Sequence, residues 1–127
     1  SGVATSLSIE GQGMPLFPDA QIQVLHIVQE ALSNVRKHAH ASHVSLNVQQ
    51  QPAWRFTVQD DGIGFNSDEE RLDETHVGLR IMRERAQLIG ANLEIISSPG
   101  HGSSIILTLQ PNAHPVSSLA STDTTST

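Results

Sequence analysis

The feature that most constrains the fold is a pair of alternating segments in the middle of the chain. "HVSLNVQQ" places apolar side chains at every second position, and "WRFTVQD" does the same a few residues later. Such alternation is typical of strands with one buried face, and the short "QQPA" segment between them favours a turn. The sequence therefore predicts an antiparallel hairpin over residues 43–60.

Five further elements flank this hairpin. They are a strand over 3–9, a helix from Gln21 to about His38, a helix from Leu79 to Ile89, and the strands "NLEIIS" and "SSIILTLQ" joined by "SPGHG". The order β-α-β-β-α-β-β predicts an α+β, two-layer sandwich with both helices on one face of a mixed sheet. Asp19 is expected to cap the first helix, and Gly90 to occupy the C′ position of the second.

The first helix divides into an apolar arc and a polar arc when it is drawn as a helical wheel. The apolar arc is expected to face the core and contains Val24, Leu25, Val28, Ala31, Leu32 and Val35. The polar arc contains His26, Glu30, Asn34 and Lys37.

Composition narrows the classes of function. The chain has 127 residues, which fits one domain, and its formal net charge of −6 argues against a surface for nucleic acid or anionic membranes. The absence of cysteine excludes disulfides, thiolate chemistry and cysteine-based zinc sites. No signal peptide and no apolar run of about 20 residues, the length of a membrane helix, is visible. We expect the domain over residues 1–111 and a disordered Ser/Thr-rich tail over 112–127.

The polar stripe of Glu30, Asn34 and Lys37 is the first candidate for chemistry, although three such residues also suit a solvated helix face. Asn is a poor helix former, so its presence is better explained if its amide oxygen is a Mg²⁺ ligand. Glu30 could orient or deprotonate a nucleophile, and Lys37 could meet a phosphate as a point charge.

Three glycine-containing segments complete the set of candidates, and each could also be an ordinary turn or cap. In "DDGIGF", Asp60 could accept a hydrogen bond from an exocyclic amine while Gly62 and Gly64 let the backbone approach a base. Gly78 is expected to open a helix after a solvated, mobile loop over 62–77, which would create a phosphate site. Gly102 and Ser103 are expected at a hairpin.

Taken in order, these segments resemble the Bergerat-type ATPases, a family that includes histidine kinases, gyrase-type ATPases, Hsp90-type chaperones and mismatch-repair ATPases. "QEALSNVRKHAHAS", "VQDDGIGF" and "GLRIMRERAQLIGANLEIISSPGHGSSIILTL" are similar to the catalytic domains of sensor kinases of the nitrate/nitrite-sensing, NarX-like subgroup. The resemblance covers about residues 1–111 and implies binding of ATP and Mg²⁺.

The resemblance also implies a role for individual residues. Asn34 matches the Mg²⁺ ligand, Glu30 the acid that primes the nucleophile, and Asp60 the aspartate that reads adenine. The remaining matches are phosphate and lid-box positions, namely Lys37, Gly62, Gly64, Gly78, Leu79, Gly102 and Ser103. Residues 66–77 would form the ATP lid. Asp61 stands where many members carry Asn, and we expect little from that difference.

The family phosphorylates a histidine on a dimerisation helix, and we expect that helix to lie outside this chain. His26 lies in the nucleotide-binding helix and is not expected to be the acceptor, while His38, His40 and His43 are expected to be surface histidines. The partners implied are a response regulator and the dimerisation and phosphoacceptor domain of a dimeric parent, of a kind that can be membrane-anchored. A cytoplasmic, monomeric domain is expected.

The function predicted is that of the ATP-binding catalytic domain of a two-component sensor histidine kinase. Two alternatives are a serine kinase of the anti-sigma-factor type and a non-catalytic interaction module, both on the same fold. A neighbouring gene for a response regulator would favour the histidine kinase, and one for a sigma-factor antagonist would favour the serine kinase. A chain that does not respond to nucleotide would favour the interaction module.

The role assigned to Glu30 leads to a first prediction. Glu30→Ala should reduce phosphoryl transfer far more than it reduces ATP binding, because a group that primes the nucleophile acts in the transition state. Comparing single-turnover transfer with the calorimetric Kd for ATP checks this. Equal losses in both quantities would contradict the role.

Overall fold

The computed structural model describes residues 3–11, 16–50, 53–66, 68 and 72–109. The two helices within these ranges are α1 (Pro18–Asn34), which continues into a π-helical turn over Val35–Ala39, and α2 (Glu74–Leu88). The strands are β1 (Ala4–Glu10), β2 (His43–Gln49), β3 (Trp54–Asp60), β4 (Asn92–Ser97) and β5 (Ser103–Leu109). The predicted order of elements is confirmed. The predicted tail over 112–127 and part of the "QQPA" turn lie outside the described residues.

The described strands form one mixed sheet in the order β1-β2-β3-β5-β4. β1 pairs with β2 in parallel, whereas the β2–β3, β3–β5 and β5–β4 pairs are antiparallel. The hairpin predicted at residues 43–60 is therefore present, with Leu46 opposite Val58. Both helices pack on one face of the sheet, so the predicted two-layer α+β architecture is confirmed.

The core lies between the helices and the sheet. α1 contributes Ala20, Val24, Ile27 and Ala31, and α2 contributes Leu79, Met82 and Ala86. The strands supply Val44, Val58, Ile105, Leu107 and Leu109 from the same face. Neither described helix is long and apolar enough to cross a membrane.

α1 begins earlier than the sequence pattern indicated. Phe17 is the N-cap residue and makes no side-chain capping bond, and Pro18 occupies the first turn, where its missing N–H is not needed. The prediction of Asp19 as N-cap is therefore wrong. Asp19 lies inside the first turn instead, where a carboxylate interacts favourably with the helix dipole.

The buried face of α1 is rotated from the predicted arc. Ile27 is only 1% exposed, whereas Leu25 is 56% exposed and faces an apolar groove beside β2 and β3. The buried positions of α1 and its continuation are Ala20, Val24, Ile27, Ala31 and Val35, which is the spacing of a narrow helix–helix seam. Leu25 was wrongly assigned because several apolar residues surround α1, and helical periodicity alone does not show which of them meet α2.

α2 also begins earlier than predicted. Its first residue is Glu74, and the side chain of Asp73 caps it by accepting a hydrogen bond of 2.9 Å from the backbone N–H of His76. Gly78 therefore lies inside the helix and does not open it, and residues 74–77 are helical rather than part of a loop. At the other end, Gly90 has a φ of +64° beyond the cap residue Ile89, so its predicted C′ position is confirmed.

The rotation of α1 generates a stability prediction. Ile27→Ala should lower the free energy of unfolding by about 2–5 kcal/mol, because it leaves a cavity in the core. Leu25→Ala, the matched control on the same helix, should cost less than about 1 kcal/mol because the side chain is mostly exposed. Urea unfolding followed by circular dichroism measures both changes, and equal costs would contradict the orientation of α1.

Candidate functional site

The predicted site residues meet around a cavity of about 350 Å³ at one end of the sheet. Its walls come from the C-terminal part of α1, the end of β3, the residues that follow β3, the first turns of α2 and the start of β5. The polar residues that line it are Asn34, His38, Asp60, Asn66, Asp73, Thr75, His76 and Ser103. The remaining lining residues are apolar. A deep apolar cavity with a few convergent polar groups is typical of small-molecule sites.

Asp60 supplies the buried charge of this cavity. It is 7% exposed at the end of β3. Its Oδ1 accepts a hydrogen bond of 2.7 Å from the backbone N–H of Gly62, and its Oδ2 accepts one of 2.5 Å from the Ser103 hydroxyl. Since a carboxylate oxygen can accept two hydrogen bonds, Asp60 keeps acceptor capacity for a ligand donor. The sequence analysis selected Asp60 and Ser103 separately, and in the structure a hydrogen bond joins them.

Three glycines allow backbone segments to pack closely around Asp60. A Cβ atom on Gly102 would overlap the carbonyl oxygen of Asp60, and one on Gly64 would overlap the carbonyl oxygen of Ser98. A Cβ atom on Gly62 would overlap the carbonyl oxygen of Ala39. Gly62 and Gly64 were predicted to make room for a base, and Gly102 was predicted at a hairpin. In the structure their immediate neighbours are protein backbone, although Gly64 also lines the cavity.

Ser97, which the sequence analysis did not select, stabilises the same region through hydrogen bonds. The Ser97 hydroxyl accepts a hydrogen bond of 2.9 Å from the Phe65 N–H and donates one of 3.0 Å to the Gly102 carbonyl. The Gly100 N–H adds a bond of 2.5 Å to the Ile63 carbonyl. The segment after β3 is thus tied to the β4–β5 hairpin. Ser97 stands at the end of a strand among other serines, so no sequence signal marks it.

A second cavity of about 280 Å³ adjoins the first and contains the remaining predicted side chains. Glu30, Asn34 and Lys37 line it from α1 and its π-helical continuation, and Gly78 lines it from α2. Asn34 also lines the first cavity, so it lies where the two cavities meet. The polar stripe of the helical wheel therefore forms one wall of this second cavity.

Gly78 brings α2 close to this stripe. A Cβ atom at position 78 would lie 2.6 Å from Oε2 of Glu30 and 3.1 Å from Nδ2 of Asn34. Any larger residue would displace both side chains. The N–H of Gly78 lies within α2 and not at its start, and the predicted nucleotide contact of Gly78 stays a prediction. Leu79 is buried in the core at 2% exposure and also lines the first cavity, while its lid-box role stays a prediction.

His38 is a site residue that the sequence analysis treated as a surface histidine. It lines both cavities, and its Nε2 is buried. That nitrogen lies 2.8 Å from Oε1 of Glu74, but the contact is not aligned as a hydrogen bond, so Nε2 has no hydrogen-bond partner among the described residues. A buried nitrogen of this kind is available to a ligand that enters either cavity. By contrast, His40 and His43 are exposed, as predicted.

Asp61 has a structural role that the sequence did not indicate. Its Oδ1 accepts hydrogen bonds from the backbone N–H groups of Ser42 (2.9 Å) and His43 (3.0 Å). Its Oδ2 accepts one of 2.6 Å from the Ser42 hydroxyl. These bonds lower the pKa of Asp61 below its ordinary value of 3.8, the hydroxyl of Ser42 having the largest effect. Asp61 thereby joins the end of β3 to the segment that leads from α1 into β2.

The lowered pKa of Asp61 predicts a pH-dependent contribution to stability. The contribution is complete above pH 3.8, the ordinary value, and is lost as the pH falls through the lower pKa of the folded state. Asp61→Asn should therefore be less stable than the wild type at neutral pH, and the difference should shrink at acid pH. Urea unfolding at several pH values measures it. Glu94→Gln removes the same charge from an exposed position of β4, and an equal effect there would contradict the assignment.

Comparison with known proteins agrees with this geometry. Residues 19–113 match the family model described as histidine kinase-, DNA gyrase B- and HSP90-like ATPase. The chain is 35% identical over 111 residues to the histidine-protein kinase/phosphatase DegS of Brevibacillus brevis, covering 86% of this chain and 28% of DegS. It is 38% identical over 107 residues to the nitrate/nitrite sensor NarQ of Escherichia coli, covering 81% of this chain and 18% of NarQ.

A solved structure of a histidine kinase domain shares the fold. The histidine kinase domain of a blue-light activated kinase from Erythrobacter litoralis superposes with a TM-score of 0.64 at 26% identity, over 84% of this chain and 54% of that one. The chain spans less than a third of DegS and NarQ, so it corresponds to one domain of such proteins. The predicted resemblance is confirmed by this similarity to a histidine-protein kinase and a nitrate/nitrite sensor. The chain belongs to the histidine kinase-, DNA gyrase B- and HSP90-like ATPase family.

Proposed function

We propose that this domain binds ATP with Mg²⁺ and donates the γ-phosphoryl group to a histidine on a separate dimerisation helix, for relay to a response regulator. The observation that carries this proposal is the pair of adjoining cavities. One contains a buried carboxylate among apolar walls, and the other contains Glu30 and Lys37. Asn34 and His38 lie between them.

The first cavity suits a purine base. Its apolar walls include Ile63, Met82 and Ile105, which offer contacts to a flat aromatic ring. The Asp60 carboxylate faces the cavity, so it would accept a hydrogen bond from the exocyclic amine of adenine. A base with a carbonyl oxygen at this position has no hydrogen to donate to the Asp60 carboxylate, so binding of that base is disfavoured. Ser103 would hold the carboxylate in place through its 2.5 Å hydrogen bond.

The second cavity suits the phosphates. Lys37 is exposed at its rim and would offer a positive charge, and the buried Nε2 of His38 would donate a hydrogen bond to a phosphate oxygen. The Asn34 side chain would supply one oxygen ligand to Mg²⁺, an ion that usually takes only one or two protein ligands together with phosphate oxygens and water. When bound, Mg²⁺ would neutralise charge that develops on the transferred phosphoryl group.

Glu30 would act on the incoming histidine. It lines the second cavity one helical turn before Asn34, and Oε2 lies against Gly78 of α2. From there its carboxylate would orient the imidazole of a phosphoacceptor helix that approaches the rim. Phosphoryl transfer depends mainly on positioning and charge neutralisation, so a single oriented carboxylate is a sufficient contribution from this side.

The partners follow from this mechanism. A phosphoacceptor histidine must reach the second cavity from another segment, so the proposed partners are the dimerisation domain of a larger parent kinase and its response regulator, in the cytoplasm. The relatives named above are sensor kinases and include a nitrate/nitrite sensor. Their names favour transfer to histidine over transfer to the serine of a sigma-factor antagonist.

The test of the proposal is nucleotide binding by the 127-residue chain. Wild-type protein should bind ATP in calorimetry with an affinity that depends on Mg²⁺. Asp60→Asn keeps the size of the side chain but replaces an acceptor oxygen by an amide, so it should weaken binding by at least about 10-fold. Glu94→Gln, which removes a negative charge from β4, should bind as the wild type does.

Two outcomes would contradict the proposal. The first is a folded wild-type chain that shows no heat of binding with ATP and Mg²⁺, which would favour a non-catalytic interaction module. The second is binding of ATP without transfer of phosphate to a dimerisation helix that is supplied as a separate polypeptide. In that case the nucleotide site stands and the kinase assignment fails.

A further inference from the structure

His76 joins the two ends of the connection that precedes α2. Its Nδ1 lies 2.8 Å from Oδ1 of Asp73, and its Nε2 lies 3.0 Å from the carbonyl oxygen of Asn66, ten residues earlier. The ring also packs edge-on against Phe65, with 5.7 Å between the ring centroids. We call His76, Asp73 and Asn66 the His76 clamp.

The two partners of the ring determine its protonation. A carbonyl oxygen is only an acceptor, and an ionised carboxylate is too. Both ring nitrogens must therefore carry a proton for both contacts to be hydrogen bonds, a condition that an imidazolium ring meets and a neutral ring does not. The His76 side chain is only 8% exposed, so water contributes little to its solvation and the contacts to Asp73 and Asn66 matter more.

The clamp forms part of the wall of the first cavity. Phe65, Asn66, Asp73 and His76 all line it. Phe65 is held on one side by the hydroxyl of Ser97, while Asn66 is held on the other side by the ring of His76. Without His76, the Asn66 carbonyl would lose this contact with the first turn of α2.

We propose that His76, as an imidazolium, is a positioning residue of the nucleotide site: it fixes the wall formed by Phe65 and Asn66 and thereby raises the affinity for ATP. This inference rests on the proposed function of the site. His76 acts through the clamp and not by contact with the phosphates.

The test measures both the charge of the ring and the affinity for ATP. In the wild-type chain at neutral pH, the nitrogen chemical shifts of His76 should be those of a doubly protonated ring. His76→Phe keeps an aromatic ring beside Phe65 but has no donor, and His76→Gln can replace only one of the donors. Each variant should bind ATP with Mg²⁺ about 10-fold more weakly, equivalent to about 1.4 kcal/mol.

The controls separate this inference from the proposed function. His26→Gln changes an exposed histidine of α1 and should leave the affinity unchanged. A wild type that binds ATP while a folded His76→Phe binds equally well would overturn the clamp and leave the nucleotide site intact. A neutral His76 ring would also overturn it. If the wild type binds no ATP, both proposals fail. If His76→Phe does not fold, His76→Gln decides.

Discussion

Close packing of backbone against backbone is the constraint on which the site depends. Three chain segments meet around Asp60 without room for side chains between them, and glycine is the residue that permits this at positions 62, 64 and 102. Gly64 and Gly102 also have φ values of +67° and +68°, which other residues rarely adopt. The packing places the Ser103 hydroxyl against the Asp60 carboxylate, so the main chain itself sets the geometry of the base-reading group.

Close packing between α1 and α2, which again requires a glycine, shapes the second cavity. Glycine inside a helix is unfavourable by roughly 0.5–1 kcal/mol relative to alanine, so Gly78 needs a reason to stand within α2. The structure supplies one, since Glu30 and Asn34 occupy the space that a Cβ atom would fill. The end of α1 contributes as well. It changes to a π-helical turn directly after Asn34, a distortion that is frequent at functional sites.

The order of elements and the set of site residues could be predicted because both leave patterns in the sequence. Alternation identifies β2 and β3, and the polar stripe of α1 identifies Glu30, Asn34 and Lys37. The start of α2 could not be recognised from hydrophobic periodicity, since its first turn, Glu74 to His76, is polar and follows an acidic segment. An aspartate at position 73 before a glutamate is a capping signal, but it does not stand out among other acids.

Other features depend on tertiary contacts that leave no local pattern. The burial of the Nε2 atom of His38 results from the packing of the π-helical turn against α2, and the bonds of Ser97 depend on how the hairpin folds back on residue 65. The rotation of α1, which buries Ile27 and exposes Leu25, depends on where α2 lies. In each case the residue type permits several environments, and only the assembled fold selects one.

The shared wall between the two cavities has a consequence for inhibitor chemistry. Asn34 and His38 are the residues that line both the largely apolar cavity and the polar one, among those that the structure describes. A flat heterocycle bound beside Asp60 and an anionic fragment bound beside Lys37 would therefore be near neighbours. A short tether would make the second binding event intramolecular, so two weak fragments would combine at a high effective concentration. The linker, rather than either fragment, would then govern selectivity, because it must pass the Asn34 and His38 side chains.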